Sequence, residues 1–417
     1  MSTPGTQTLE TQLWQGTLDQ RIAALTELCA QLGARPHRGT NCHIHTSESF
    51  SVFRSPSEAV WQAAHEGIAV LGINDHYTVA GHPEFRRACA VAGIAAGFSL
   101  EAVAVDRDAA EAGLKLNDPD NPGRIYLCGK GITQYPADSL PEMCNLARMR
   151  AALERRNREI TSKVAGLFQE RLGAAGPTWE NVVALTPRGN ATERHVAFAT
   201  LLRLREVATQ QGKPVGEIIA ALCGATPPAG GDDAALQIFL RAKLMKAGAP
   251  AFVREDPDAF VSVADLRAIF LAFGAIPTYP ILGNPVLGGE ENIEALLDRL
   301  ESMGFYAVEV IPTRNTRERL TEIVSAARRR WWPVFNGTEH NTPESRPLLD
   351  PFALDPDFEP WFRQSTALML GHQRLVAQGK QGFVDAQGKP TIPDPKSRFE
   401  CFSQAGQFDS GPEHEAA

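Results

Sequence analysis

Capped amphipathic helices alternate with short apolar runs over residues 39–135 and again over 256–375, and this alternation limits the possible folds more than any other feature. Ser55, Pro56 and Glu58 announce a helix that stops at Gly67. The run Ile68 to Ile73 then reads as a buried strand whose end delivers Asn74, Asp75 and His76 into a loop. Ser262 caps a later helix reaching Phe273, and strands are expected over Ala275 to Ile281, Tyr306 to Ile311 and Trp332 to Phe335. Units of this kind fold as parallel sheet with crossover helices, and such folds carry their chemistry at the C-terminal ends of the strands.

The two halves are separated by a different kind of sequence. Residues 136–255 are helical and Arg-rich, with a Pro/Gly break at 224–231, and are expected to form a helical insertion. Leu18, Ile22, Leu25, Leu28 and Leu32 lie at helical spacing and predict an N-terminal helix within 1–38. The segment 376–417, rich in Gly, Pro and Gln with sparse apolar residues, is expected to be an extended tail. The chain thus divides into 1–38, a first barrel part 39–135, the insertion 136–255, a second barrel part 256–375 and the tail.

Composition excludes several functions. With 43% hydrophobic and 22% charged residues in 417, the chain can bury a full core, and it lacks the roughly 18 consecutive apolar residues a membrane span needs. Forty-one basic against 49 acidic residues give a net charge of −8, so nucleic acid would bind only through a local basic patch. Seven dispersed cysteines without a CxxC pair argue against a disulfide scaffold or a thiolate zinc site. No secretory signal is visible in residues 1–20, and the expected compartment is the cytoplasm.

The residues at the strand ends are those that bind cations. His43 and His45 are two apart on a strand and so face the same way, able to share one metal ion. Asp75 and His76 end the next strand and add a hard oxygen and another imidazole. Glu101 follows a strand, where a buried carboxylate is costly unless a cation neutralises it; an arginine would serve as well as a metal. Glu339 and His340 follow the last strand. His195, alone at the start of an apolar helix, reads more readily as structural than as a ligand.

In order along residues 39–345, the motifs HIHT, INDH, SLE, ERHVAFA, AVEVIP and GTEHN resemble those of the PHP (polymerase and histidinol phosphatase) metal-dependent phosphoesterases, and most nearly their TrpH-like branch. The resemblance implies an α/β fold, a distorted (β/α)7 barrel with a helical insertion domain and metals at the strand C-termini. It implies His43, His45, His76, Glu101, His195 and Glu339 as metal ligands, and His340, His195 and Asp75 as catalytic groups. Arg148, Arg155, Arg194 and Tyr126 would then bind the substrate, since guanidinium forks suit phosphoryl oxygens. This sequence departs from the pattern at Phe50, where a ligand carboxylate is usual, at Tyr126, where a histidine is common, and at Asn341, where the last histidine usually stands. One or two divalent ions, Zn, Mn or Fe, are therefore expected rather than three.

The expected function is hydrolysis of a small phosphorylated metabolite or nucleotide by metal-activated water. The alternatives are a metal-dependent hydrolase or lyase acting on a non-phosphate substrate, and a binding protein whose catalytic site has decayed. No membrane partner is expected, nucleic acid is a weakly supported partner, and the oligomeric state is left open.

Overall fold

In a computed structural model of the chain, residues 9–408 are described apart from 34, 36 and 284. The outer ends of the expected N-terminal segment and tail, 1–8 and 409–417, lie outside the described residues. Eight strands make one sheet: β1 (Thr40–Ile44), β2 (Val70–His76), β3 (Ala95–Val105), β4 (Arg124–Lys130), β5 (Val261–Ser262), β6 (Ile276–Ile281), β7 (Val308–Val310) and β8 (Val334–Asn336). Seven of them run side by side in the order β1-β2-β3-β4-β6-β7-β8, and β5 adds to the far end of β3.

All pairings are parallel except those of β4, which runs antiparallel to both β3 and β6. β3 and β4 are joined by residues 106–123, which carry the short helix Arg107–Glu111 and return the chain antiparallel beside β3. This reversal is the distortion in the barrel. The ring closes where β8 meets β1. Thr40 Oγ1 donates to Asn336 Oδ1 at 2.8 Å, His45 N to Glu339 O at 2.7 Å, and Glu339 N to His43 O at 2.8 Å. Gly337 permits this seam, since a Cβ there would stand 2.3 Å from the His43 Cβ.

The helix Pro56–Glu66 begins on Ser55, whose hydroxyl accepts from Glu58 N, and ends on Gly67 at φ 74°, a left-handed cap that glycine adopts without a Cβ clash. β2 extends three residues past the expected run. Asn74, Asp75 and His76 are therefore strand residues paired with Ser99, Leu100 and Glu101 of β3 rather than loop residues.

The inserted helices Pro141–Leu172, Glu193–Gln211, Val215–Cys223 and Asp233–Leu244 enclose a core of their own, built on Ile160, Phe168, Leu201, Leu204 and Leu240. At the other end of the chain, the expectation of an extended tail is corrected. Residues Pro395–Ala405 form a helix packed against Glu359–Ala377, with the Phe399 ring stacked on Trp361 at 4.4 Å. Phe402 adds a ring contact to Phe383 at 5.7 Å, and Gly371 allows the close approach because a Cβ there would lie 1.8 Å from Phe402 O.

Candidate active site

His43 on β1 and His45 just past its end both reach the barrel mouth, and β3 brings Glu101 opposite them. His43 Nε2 and His45 Nε2 are 3.0 Å apart, and each is 3.2 Å from Glu101 Oε2. His76 Nδ1 stands 3.7 Å from the same oxygen, its ring lying 4.3 Å from that of His45. Glu101 Oε2 and His76 Nδ1 are buried and without a hydrogen-bond partner. Leaving such atoms unmade costs about 1–3 kcal/mol each.

A divalent ion satisfies this arrangement. Ligands about 2.0 Å from a tetrahedral centre are about 3.3 Å from one another, which is the spacing of the His43, His45 and Glu101 atoms. Three imidazole nitrogens and a carboxylate oxygen form a donor set that suits a borderline metal. A second group, a nitrogen of His43 with Cys128 and Glu309, is also compact. There, however, the Lys130 ammonium sits 2.9 Å from Glu309 Oε1 and already supplies the cation.

The surroundings hold the ligands in place. Glu309 Oε1 meets His43 Nδ1 at 2.8 Å. Ser49 Oγ lies 3.2 Å from His45 Nδ1 and donates to Asp75 Oδ1 at 2.6 Å. Burial works against charge on His43, but Glu309 and Glu101 outweigh it and raise the imidazole to about 9. Burial and the neighbouring His76 hold His45 well below its ordinary value. Burial also opposes ionisation of Glu101, yet the three imidazoles keep it well below the carboxylate range.

Several expected residues are placed elsewhere. Asp75 accepts from Thr46 N, Thr46 Oγ1 and Ser49 Oγ at 2.6–2.7 Å, so it shapes the turn after β1 and meets no reacting group. His195 is also not among the side chains gathered with His43, His45 and Glu101. Its Nδ1 accepts from Thr192 N at 3.0 Å, capping the helix Glu193–Gln211, while its ring bonds the Ser47 backbone and faces Phe50 edge-on at 5.1 Å. Burial lowers it to about 3.

His340 is likewise committed, with Nδ1 2.8 Å from Thr338 Oγ1 and Nε2 3.0 Å from Arg346 O. Glu339 and His340 have φ of 63° and 58°, and these consecutive left-handed residues turn the imidazole away from the centre. Glu339 itself borders the site, where it is paired with Arg314.

Above the cluster lies a cleft of about 580 Å³ between barrel and insertion, with His76, Glu101, Glu339 and Tyr126 on the barrel side. Facing them from the insertion are Arg156, Arg194, Arg241 and Lys246. Glu193 gathers three of these, meeting Arg241 Nε at 2.6 Å, Arg156 Nη2 at 2.8 Å and Lys246 Nζ at 3.2 Å. Arg194 is half-buried, has no carboxylate at ion-pair distance among the described residues, and is lowered to about 10 by burial and by Arg241.

Arg148 and Arg155 lie outside the cleft. Arg148 is exposed beside Asn145, and Arg155 is exposed and paired with Asp256. Both occupy the solvent side of the long helix, whereas Arg156, one residue on, points inward.

Sequence reasoning missed Glu309, Lys130, Arg241 and Lys246. The available signal was a lone carboxylate between Val308 and Val310, in a strand otherwise apolar.

No family model matches the chain, and no curated protein matches it. Among solved structures, one from Bifidobacterium adolescentis, provisionally described as a metal-dependent phosphoesterase, is 20% identical and covers 77% of this chain and 96% of its own, with a TM-score of 0.49. An amidohydrolase from Chromobacterium violaceum, with bound sulfate and no metal, is 17% identical and covers 79% of this chain and 96% of its own, with a TM-score of 0.50. At such identity the likeness is one of fold. The chain shares with the second of these a distorted barrel, here with helical additions.

Proposed function

We propose that the chain is a metal-dependent hydrolase acting on the phosphate ester of a small phosphorylated metabolite or nucleotide. The observation that carries the anionic substrate is Arg194. A half-buried guanidinium on the cleft wall with no carboxylate at ion-pair distance is open to pairing with a bound oxyanion.

His43, His45, Glu101 and His76 would hold a Zn, Mn or Fe ion, which when bound supplies an acidified water and Lewis-acid polarisation. The chain's own residues do the rest. Arg194 grips the phosphoryl oxygens and orients them over the barrel mouth. Arg156, Arg241 and Lys246 outnumber Glu193 and keep the opposite wall positive. The Tyr126 hydroxyl, held protonated by burial and nearby carboxylates, donates a hydrogen bond from the barrel side. His195 and His340 hold nitrogens on Thr192, Thr338 and Arg346, and this reading assigns neither of them the proton of the leaving group.

The test begins with elemental analysis of protein purified without chelator, followed by phosphate release from a panel of phosphomonoesters. Arg194→Met should lower kcat/KM by roughly a hundredfold while leaving metal content unchanged. Metal-replete protein that releases no phosphate, yet cleaves amides or lactones, would overturn the phosphoester reading.

A further inference from the structure

The barrel core contains a charge cluster that the hydrolytic reading does not use. Lys130 and Glu309 are fully buried, with side-chain exposures of 0%. They reach one another from β4 and β7, Nζ to Oε1 at 2.9 Å, and the ammonium also donates to Cys42 O at 3.0 Å. The same Oε1 that accepts from Lys130 meets His43 Nδ1 at 2.8 Å. One carboxylate oxygen thus joins an ammonium to the outer nitrogen of an imidazole whose inner nitrogen faces His45 and Glu101.

Packing does not explain this choice. Barrels of this kind ordinarily fill their interior with branched apolar side chains. An ion pair buried in such a core recovers its desolvation cost only with well-made hydrogen bonds, and apolar residues of similar volume often serve stability as well or better. Glu309 Oε2 is left without any partner. The feature that distinguishes the pair is its contact with His43.

A carboxylate against Nδ1 requires a proton on that atom, which leaves Nε2 as the lone-pair donor. The contact also fixes the ring plane. Lys130 supplies the balancing positive charge and clamps Oε1 from the other side. The carboxylate is thereby held in position by the fold and does not depend on an ion for its orientation.

We propose that Glu309 and Lys130 are positioning residues of the metal centre, a built-in ion pair that fixes His43 with Nε2 turned toward the ion. The inference rests on the metal reading of His43, His45 and Glu101. It goes beyond that reading in assigning the cost of two buried charges to the orientation of a single ligand.

The experiment measures Zn2+ affinity by equilibrium dialysis against a competing chelator, and in parallel the melting temperature of metal-free protein. Three proteins are compared: the wild type, Glu309→Gln, and the double variant Lys130→Met with Glu309→Leu. The double variant replaces the pair by apolar volume. It should melt at or above the wild-type temperature yet bind Zn2+ ten- to a hundredfold more weakly. A purely structural pair would show the reverse, a lower melting temperature with unchanged affinity, and that result overturns the proposal.

Glu309→Gln keeps the shape and the Lys130 acceptor, so it provides a measurement should the double variant not fold. A severalfold or greater loss of affinity supports the proposal, and wild-type affinity overturns it. Zn2+ uptake by the wild type with equal uptake by the variants removes only the positioning role. Absence of uptake by the wild type removes the metal reading as well.

Discussion

Side chains of one chemical type serve quite different purposes here, and local backbone geometry separates them. His43 and His76 lie on strands and His45 directly follows β1, and the i, i+2 spacing made the first pair legible in the sequence. The lone place of His195 at a helix start already marked it as structural, whereas the placing of His340 was not legible. One has its ring turned back into a helix cap, and the other follows a left-handed residue, neither of which a motif records. His195→Ala should therefore cost about 1 kcal/mol of stability through the lost cap, with metal content unchanged. Equal loss of metal in His195→Ala and His45→Ala would contradict the separation drawn here. Glu309 escaped notice for the opposite reason: it sits within an apolar strand where charge is rare, and only its neighbours in space explain it.

Among the secondary-structure elements, the strand and helix alternation was readable because each unit buries one apolar face. Strand ends were misjudged where a polar triplet, Asn74 to His76, continues a strand that propensity alone would terminate. The C-terminal helix was missed because its burial depends on two aromatic contacts rather than on a repeating pattern. The insertion tells most through Glu193 at the start of its helix Glu193–Gln211.

Burial alone would raise the Glu193 carboxyl, but Arg241, Lys246 and Arg156 lower it to about 2 from an ordinary 4.5. A depressed folded-state value stabilises above the unfolded pKa, and that contribution is lost as pH falls through the window from 4.5 toward 2. The full effect is roughly 3 kcal/mol. Glu193→Gln should melt earlier than wild type at pH 7, and the gap should narrow as the pH approaches 2. A gap independent of pH would rule out the ionic origin.

At the scale of the whole molecule, the barrel and the insertion have separate apolar cores, and the cleft lies between them. Ligand atoms from β1, β2 and β3 share the barrel mouth, so an ion there ties three strands together. Zn2+ at about one hundred times its Kd should stabilise the folded chain by about 2.7 kcal/mol, read as a rise in melting temperature that EDTA reverses. His45→Ala should abolish the rise. A rise of the same size in that variant would place the ion elsewhere.

The seam between the first and last strands joins residues 296 positions apart, Thr40 and Asn336, and the floor of the cleft borders that seam. A chain emerging from the ribosome presents its paired imidazoles early, but Glu309 and Glu339 follow only after most of the polypeptide has been made. The incomplete chain therefore has the first ligands without their outer support or the closed ring. The cleft floor thus takes its shape only once the last strand has docked beside the first.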